Sequence, residues 1–139
     1  MYTKLIKECE RQINTYPGQV PTDEKFLKFA YHFLCKAEKV KPGKIYYFDR
    51  RKHTGKHFKE FKGGVCLERI SPLFGIRRYR IYIERDNLWL LYLIHEFTHQ
   101  LLMKEQHYYG HGKLFRKLHE AFTNLYFMPI FYLFDKTLK

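Results

Sequence analysis

The chain has 139 residues, 45% hydrophobic and 19% aromatic, which suits one folded domain with its own core and argues against a disordered polymer or a second domain. Its 26 Lys and Arg against 14 Asp and Glu give a formal charge of +12, so a polyanion, with nucleic acid as the first candidate, is a plausible partner. Cys9, Cys35 and Cys66 are odd in number, far apart and without a C-x-x-C, which excludes a disulfide framework and a cysteine zinc ribbon.

The amino terminus, MYTKLIKECERQ, is charged throughout and has no apolar core of a signal peptide. No apolar run reaches the ~20 residues of a membrane span. An intracellular setting in cytoplasm, nucleoid or nucleus, away from membranes, is therefore expected.

In chain order, Leu5, Ile6, Cys9 and Ile13 recur at helical spacing until Tyr16-Pro17-Gly18 stops the pattern. Thr22 is placed to cap a second helix, with Asp23 and Glu24 at the positive end of its dipole. Phe26, Leu27, Ala30, Phe33, Leu34 and Ala37 form its predicted buried face, and Lys41-Pro42-Gly43 ends it. The pattern then changes to strands at Lys44 to Phe48, Gly64 to Ile70 and Arg78 to Arg85. In the last, Tyr79, Ile81 and Ile83 face one way and Arg78, Arg80, Tyr82 and Glu84 the other. Between the first two strands, Arg50, Arg51, Lys52, Lys56, Lys59 and Lys62 are interleaved with histidine and phenylalanine. Such a loop can neutralise phosphates and stack on unpaired bases.

Asp86 or Asn87 is the expected cap of a third helix running to about Lys104, apolar nearly all round at its start and therefore buried. A fourth is predicted from about Lys113 to Phe127, where Pro129 interrupts and an aromatic tail packs back on the core. The expected fold class is thus α+β, about four helices on a small three-stranded, mainly antiparallel sheet. All 139 residues form one domain: 1–43 the first helices, 44–85 the sheet and basic loop, 86–127 the last two helices, 128–139 the tail.

The third helix carries His95-Glu96-Phe97-Thr98-His99, an H-E-x-x-H. Residues four apart share a helix face, so two neutral imidazoles can clamp one zinc ion while Glu96 stands beside them as a base. A catalytic site needs a third protein ligand and an open position. His107, His111, His119 and Glu120 are the downstream candidates, and His111 is favoured because Gly110 and Gly112 let the chain turn sharply around it. His107, Tyr108 and Tyr109 are near enough in sequence to offer a donor to a developing oxyanion.

His95-Glu96-x-x-His99 followed by His111-Gly112-x-x-Phe115 resembles the SprT-like metalloprotease domain, the family that includes Spartan. Gly64-Val65-Cys66 and Arg80-Ile81-Tyr82-Ile83 are similar to its upstream strand elements, so the likeness spans roughly Lys44 to Phe122. The resemblance implies a compact zincin-like domain, Zn2+ held by His95, His99 and His111, and Glu96 as base. It further implies cleavage of protein substrates that are bound or crosslinked to DNA, with single-stranded or damaged DNA as partner. The basic loop and Arg77, Arg78 and Arg80 are the residues expected to meet it. Two further classes remain open: a nucleic-acid-binding module with structural zinc, its fourth position filled by His119 or Glu120, and a regulatory protease cleaving one partner protein.

Overall fold

The apolar spacings and alternations become four helices and three strands in the computed structural model, which describes residues 2–18, 20–48, 63–85 and 88–138. In order these are α1 (Tyr2–Thr15), α2 (Glu24–Ala37), β1 (Lys44–Phe48), β2 (Gly64–Ile70), β3 (Arg77–Glu84), α3 (Trp89–Gln106) and α4 (Lys113–Thr137). The class is α+β, as expected. Arg50, Arg51, Lys52, Lys56, Lys59 and Lys62 lie outside the described residues, as do Asp86 and Asn87.

The sheet order is β1-β3-β2, with β3 in the centre. β2 and β3 form an antiparallel hairpin that pairs Cys66 with Ile81, whereas β1 runs parallel to β3 and pairs Ile45 with Ile81. The sheet is therefore mixed, with one ladder of each kind, and not mainly antiparallel. β1 and β3 are not sequence neighbours, so no tight turn forces them to run in opposite directions. Strand alternation sorts β3 as its residues demand: Tyr79, Ile81 and Ile83 are buried, and Arg78 and Arg80 are exposed. α3 lies against β2, β3 and α4. Its Trp89, Leu91, Leu93, Ile94 and Phe97 are fully buried, and the Trp89 indole N–H donates to the Pro21 carbonyl at 2.9 Å.

Three local expectations change. Asp23, and not Thr22, caps α2: its carboxylate accepts from the Phe26 N–H at 2.8 Å, placing a negative charge at the positive end of the dipole, which a hydroxyl cannot supply. The buried face of α2 includes Tyr31 and Cys35, while Phe33 is only half-buried and Ala37 is exposed. Burial of Tyr31 is possible because its hydroxyl donates to Gln100 at 2.6 Å and accepts from the Gly43 N–H at 2.8 Å.

The third change is larger. α4 does not stop before Pro129 but runs through it to Thr137. A mid-helix proline costs about 3 kcal/mol, yet the turns beyond it bury Ile130, Phe131 and Phe134, each worth about 1.5–3 kcal/mol. Phe131 stacks on Phe26 at 5.4 Å and 11°, and Phe134 meets the same ring edge-on at 5.0 Å. Packing therefore outweighs the lost hydrogen bond. Leu125, whose carbonyl lacks the proline's N–H, is exposed to water. Among the described residues no helix is long and apolar enough to cross a membrane.

Pro129 is itself exposed, so Pro129→Ala restores a helix hydrogen bond without opening a cavity. Chemical denaturation should report a gain of about 1–3 kcal/mol; a loss would mean that the ring has a packing role.

Candidate metal centre

His95 and His99 lie one turn apart on α3, their ring centroids 4.9 Å from each other. The chain leaves α3 at His107, which adopts a left-handed conformation (φ 51°), and returns through Gly110 to bring His111 over the pair. His111 Nε2 is 2.8 Å from His99 Nε2 and 3.2 Å from His95 Nε2. One ligand atom from each of the three lies within 4.8 Å of the others, and among the described residues no further His, Cys, Asp or Glu joins the group. These three histidines could hold a metal ion. Nitrogens about 2.05 Å from a zinc ion would be about 3.3 Å apart, close to the 2.8 and 3.2 Å that separate His111 from the two helix histidines.

Phe115, in the first turn of α4, is what keeps the imidazoles together. Its buried ring stacks on His99 at 4.3 Å and 26°, and meets His95 at 4.8 Å and His111 at 4.9 Å in steeper contacts. The Nδ1 of His99 is buried with no hydrogen-bond partner among the described residues. Aromatic packing, and not a carboxylate or carbonyl behind the ring, therefore sets its orientation.

Glu96 is buried and accepts a hydrogen bond from the Cys66 backbone N–H, and burial pushes its pKa up to about 8. Two glycines let β2 pass this close to α3. Gly63 has φ +82° and lies against the Tyr92 ring, where a Cβ would come within 2.7 Å. A Cβ on Gly64 would sit 2.5 Å from the Tyr82 carbonyl oxygen and 3.4 Å from Glu96 Cγ.

The other candidates are placed differently. His119 is buried beside His95, at 5.1 Å between centroids, with a hydrogen bond to the Leu91 backbone, and Glu120 is exposed. His107 receives a hydrogen bond from the Arg77 guanidinium. The Tyr108 hydroxyl accepts from the Gly112 N–H at 2.8 Å, and the Tyr109 hydroxyl donates to Glu68 at 2.6 Å. Tyr79 occupies the second oxygen of Glu68 at 2.8 Å. All three segment residues thus tie the His111 segment to itself or to the β2–β3 hairpin. Glu68 and Tyr79 were not singled out from the sequence as partners in this network; the only hint was a carboxylate, Glu68, on the same side of its strand as Cys66. Arg77 shares the helix-facing side of β3 with Tyr79, whereas Arg78 and Arg80 point away.

Comparison with known protein families, curated proteins and solved structures finds none that matches this chain.

Burial, reinforced by the neighbouring imidazoles, pushes His95 down to about 2 and His99 to about 4; burial likewise lowers His119 to about 4. Unfolding lets these rings take up protons below their usual 6.5, so stability is lost as pH falls through that value. Glu96 acts oppositely: its raised pKa makes the folded state bind the extra proton between 4.5 and about 8, so stability is lost as pH rises there. Three histidines outweigh one glutamate below 6.5. Metal-free protein should therefore be most stable near pH 6.5 and fall off on both sides, as thermal unfolding across pH would show; a profile still rising between pH 6.5 and 8 would contradict the buried, neutral Glu96. Separately, Phe115→Leu keeps apolar volume but removes the ring, and chelator competition should show metal affinity reduced at least about tenfold.

Proposed function

We propose that this protein is a zinc-dependent endopeptidase of the SprT-like type, acting on proteins associated with nucleic acid. The observation that carries the reading is the convergence of the His95, His99 and His111 Nε2 atoms beside a buried Glu96. Three imidazole donors with a further position open among the described residues suit catalytic zinc. Bound there, zinc would supply Lewis acidity, acidifying water and polarising a carbonyl.

The remaining steps belong to the chain. Burial raises the proton affinity of Glu96, and in its ionised form it takes a proton from water on a carboxylate oxygen as the scissile amide is attacked. It then delivers that proton to the leaving amine nitrogen. Among the described residues β2 is an edge strand, and its Cys66 N–H donates to Glu96. An extended peptide pairing along that edge would bring its amide to the histidines. The absence of a fourth His, Cys, Asp or Glu from the group, among the described residues, favours this reading over a structural zinc site. The charge of +12 supports substrates held on single-stranded or damaged DNA.

Elemental analysis should find one zinc per chain, retained in Glu96→Gln and lost in His111→Ala. Cleavage of an unfolded protein substrate should drop by about 10²–10⁴ in Glu96→Gln, and single-stranded DNA should stimulate the wild type. Stoichiometric zinc with no cleavage in any condition would leave a structural metal site in place of an enzyme.

A further inference from the structure

The turn between β2 and β3 holds its apolar side chains out in water. Ile70, Leu73, Phe74 and Ile76 fall within seven consecutive residues and are all exposed, Leu73 and Phe74 at 84% and 78%. The turn that carries them is closed by its own backbone: the Ser71 N–H donates to the Ile76 carbonyl at 2.8 Å, and the Gly75 N–H donates to the Ser71 carbonyl at 2.9 Å. Scattered exposed hydrophobics are ordinary, whereas a cluster rimmed by polar groups marks a contact site.

Position and charge select what it contacts. Cys66, Glu68 and Ile70 share one side of β2. The Cys66 N–H donates to Glu96, Glu68 accepts from the Tyr109 hydroxyl, and Ile70 stands at the foot of the turn. Arg77, paired with Ile70, reaches His107. The turn therefore belongs to the same hairpin that the His111 segment is tied to, with the exposed Tyr109 ring between Ile70 and the histidines in this order of contacts. One rung behind the turn, Arg69 and Arg78 face each other, both exposed and neither in an ion pair with a described carboxylate. Such a like-charge cross-strand pair is relieved by an anionic partner.

We infer that this turn is a docking site for an unfolded polypeptide segment that carries bulky apolar side chains with acidic neighbours. The inference rests on the peptidase reading of the metal centre, whose substrates it would select. Folded proteins keep most large apolar side chains inside, so an apolar turn favours chains that have lost their fold. Leu73 and Phe74 anchor such side chains, and Arg69 and Arg78 meet the acidic neighbours. A nucleic-acid strand would find one ring to stack on and no use for the three aliphatic side chains. An extended segment covers about 3.3 Å per residue. A substrate whose scissile amide lies beside Cys66 thus meets the turn with a residue at least four positions away, the separation of Cys66 and Ile70 on β2.

The test is fluorescence anisotropy of a labelled, permanently unfolded acidic protein, reduced and carboxymethylated α-lactalbumin, titrated with the full chain carrying Glu96→Gln so that cleavage is slowed. Adding Leu73→Ser/Phe74→Ser should weaken binding at least about tenfold. Adding Arg69→Gln/Arg78→Gln should flatten its salt dependence. With Glu96 intact, the apolar double variant should raise KM for this protein and leave kcat unchanged. All four positions are exposed, and an unchanged unfolding midpoint would confirm that the variants fold. Binding that survives Leu73→Ser/Phe74→Ser would overturn the site, as would a chain that does not bind the unfolded protein at all. Equal competition by polyglutamate, which has the charge without the apolar side chains, would overturn apolar recognition. If the apolar variant instead abolishes binding to oligothymidine, capture by phosphatidylserine vesicles or a concentration-dependent dimer, and leaves α-lactalbumin binding unchanged, the turn serves that partner and the inference falls. Failure of the peptidase reading has a different signature: binding through the turn with no cleavage by the Glu96-intact chain would keep the docking site and remove the enzyme.

Discussion

The His111 Nε2 stands within hydrogen-bonding reach of both the His95 and the His99 Nε2, and the two helix imidazoles are held neutral where they meet it. Burial penalises an imidazolium on His95 and on His99, and the neighbouring imidazoles add to that penalty. The arrangement leaves several nitrogen lone pairs pointing into one small volume, which a cation would satisfy better than any proton. Everything near that volume serves to hold the rings in this state. α3 supplies two of them from a helix that is buried nearly all round, and Phe115 supplies a flat apolar wall that contacts all three.

The third imidazole is held in another way. His111 is itself exposed, on a short segment between α3 and α4, so little apolar burial fixes its position. Hydrogen bonds take over: Arg77 to His107, Tyr109 to Glu68, and the Gly112 N–H to Tyr108. Two of these run to the β2–β3 hairpin. The strand pair therefore does more than cover α3; it forms the second wall on which the segment hangs. Glu68 completes that wall by accepting from Tyr79 and Tyr109 at once, so its carboxylate couples strand, hairpin and His111 segment.

Much of this was legible from local pattern. β1 and β2 begin and end with the stretches KIYYF and GVCLERI, and the inward set of β3 is the predicted Tyr79, Ile81 and Ile83. The i, i+4 histidines and the glycine-flanked His111 come together because helix geometry and a glycine turn are nearly local properties. What the sequence did not disclose depends on partners far along the chain. The direction of β1 relative to β3 is set by the path between them and leaves no mark in either strand. Tyr31 is buried because Gln100, 69 residues away, meets its hydroxyl. Pro129 reads as a stop unless one knows that Phe131 and Phe134 beyond it reach Phe26 of α2. The Glu68 network joins residues up to 41 positions apart, and no periodicity encodes it.

β3 has a consequence for how this chain can vary. Adjacent residues Arg77 and Arg78 serve opposite sides, one reaching His107 beside the histidines and the other facing outward across from Arg69. Because side chains alternate with a period of two, inserting or deleting one residue between Arg77 and Ile83 would exchange the two sides at once. Guanidinium groups would then point into the space beneath α3, and isoleucines would face water. The strand can accept many single replacements and almost no change of length. Descendants of this sequence would be expected to differ freely in its letters while keeping their count.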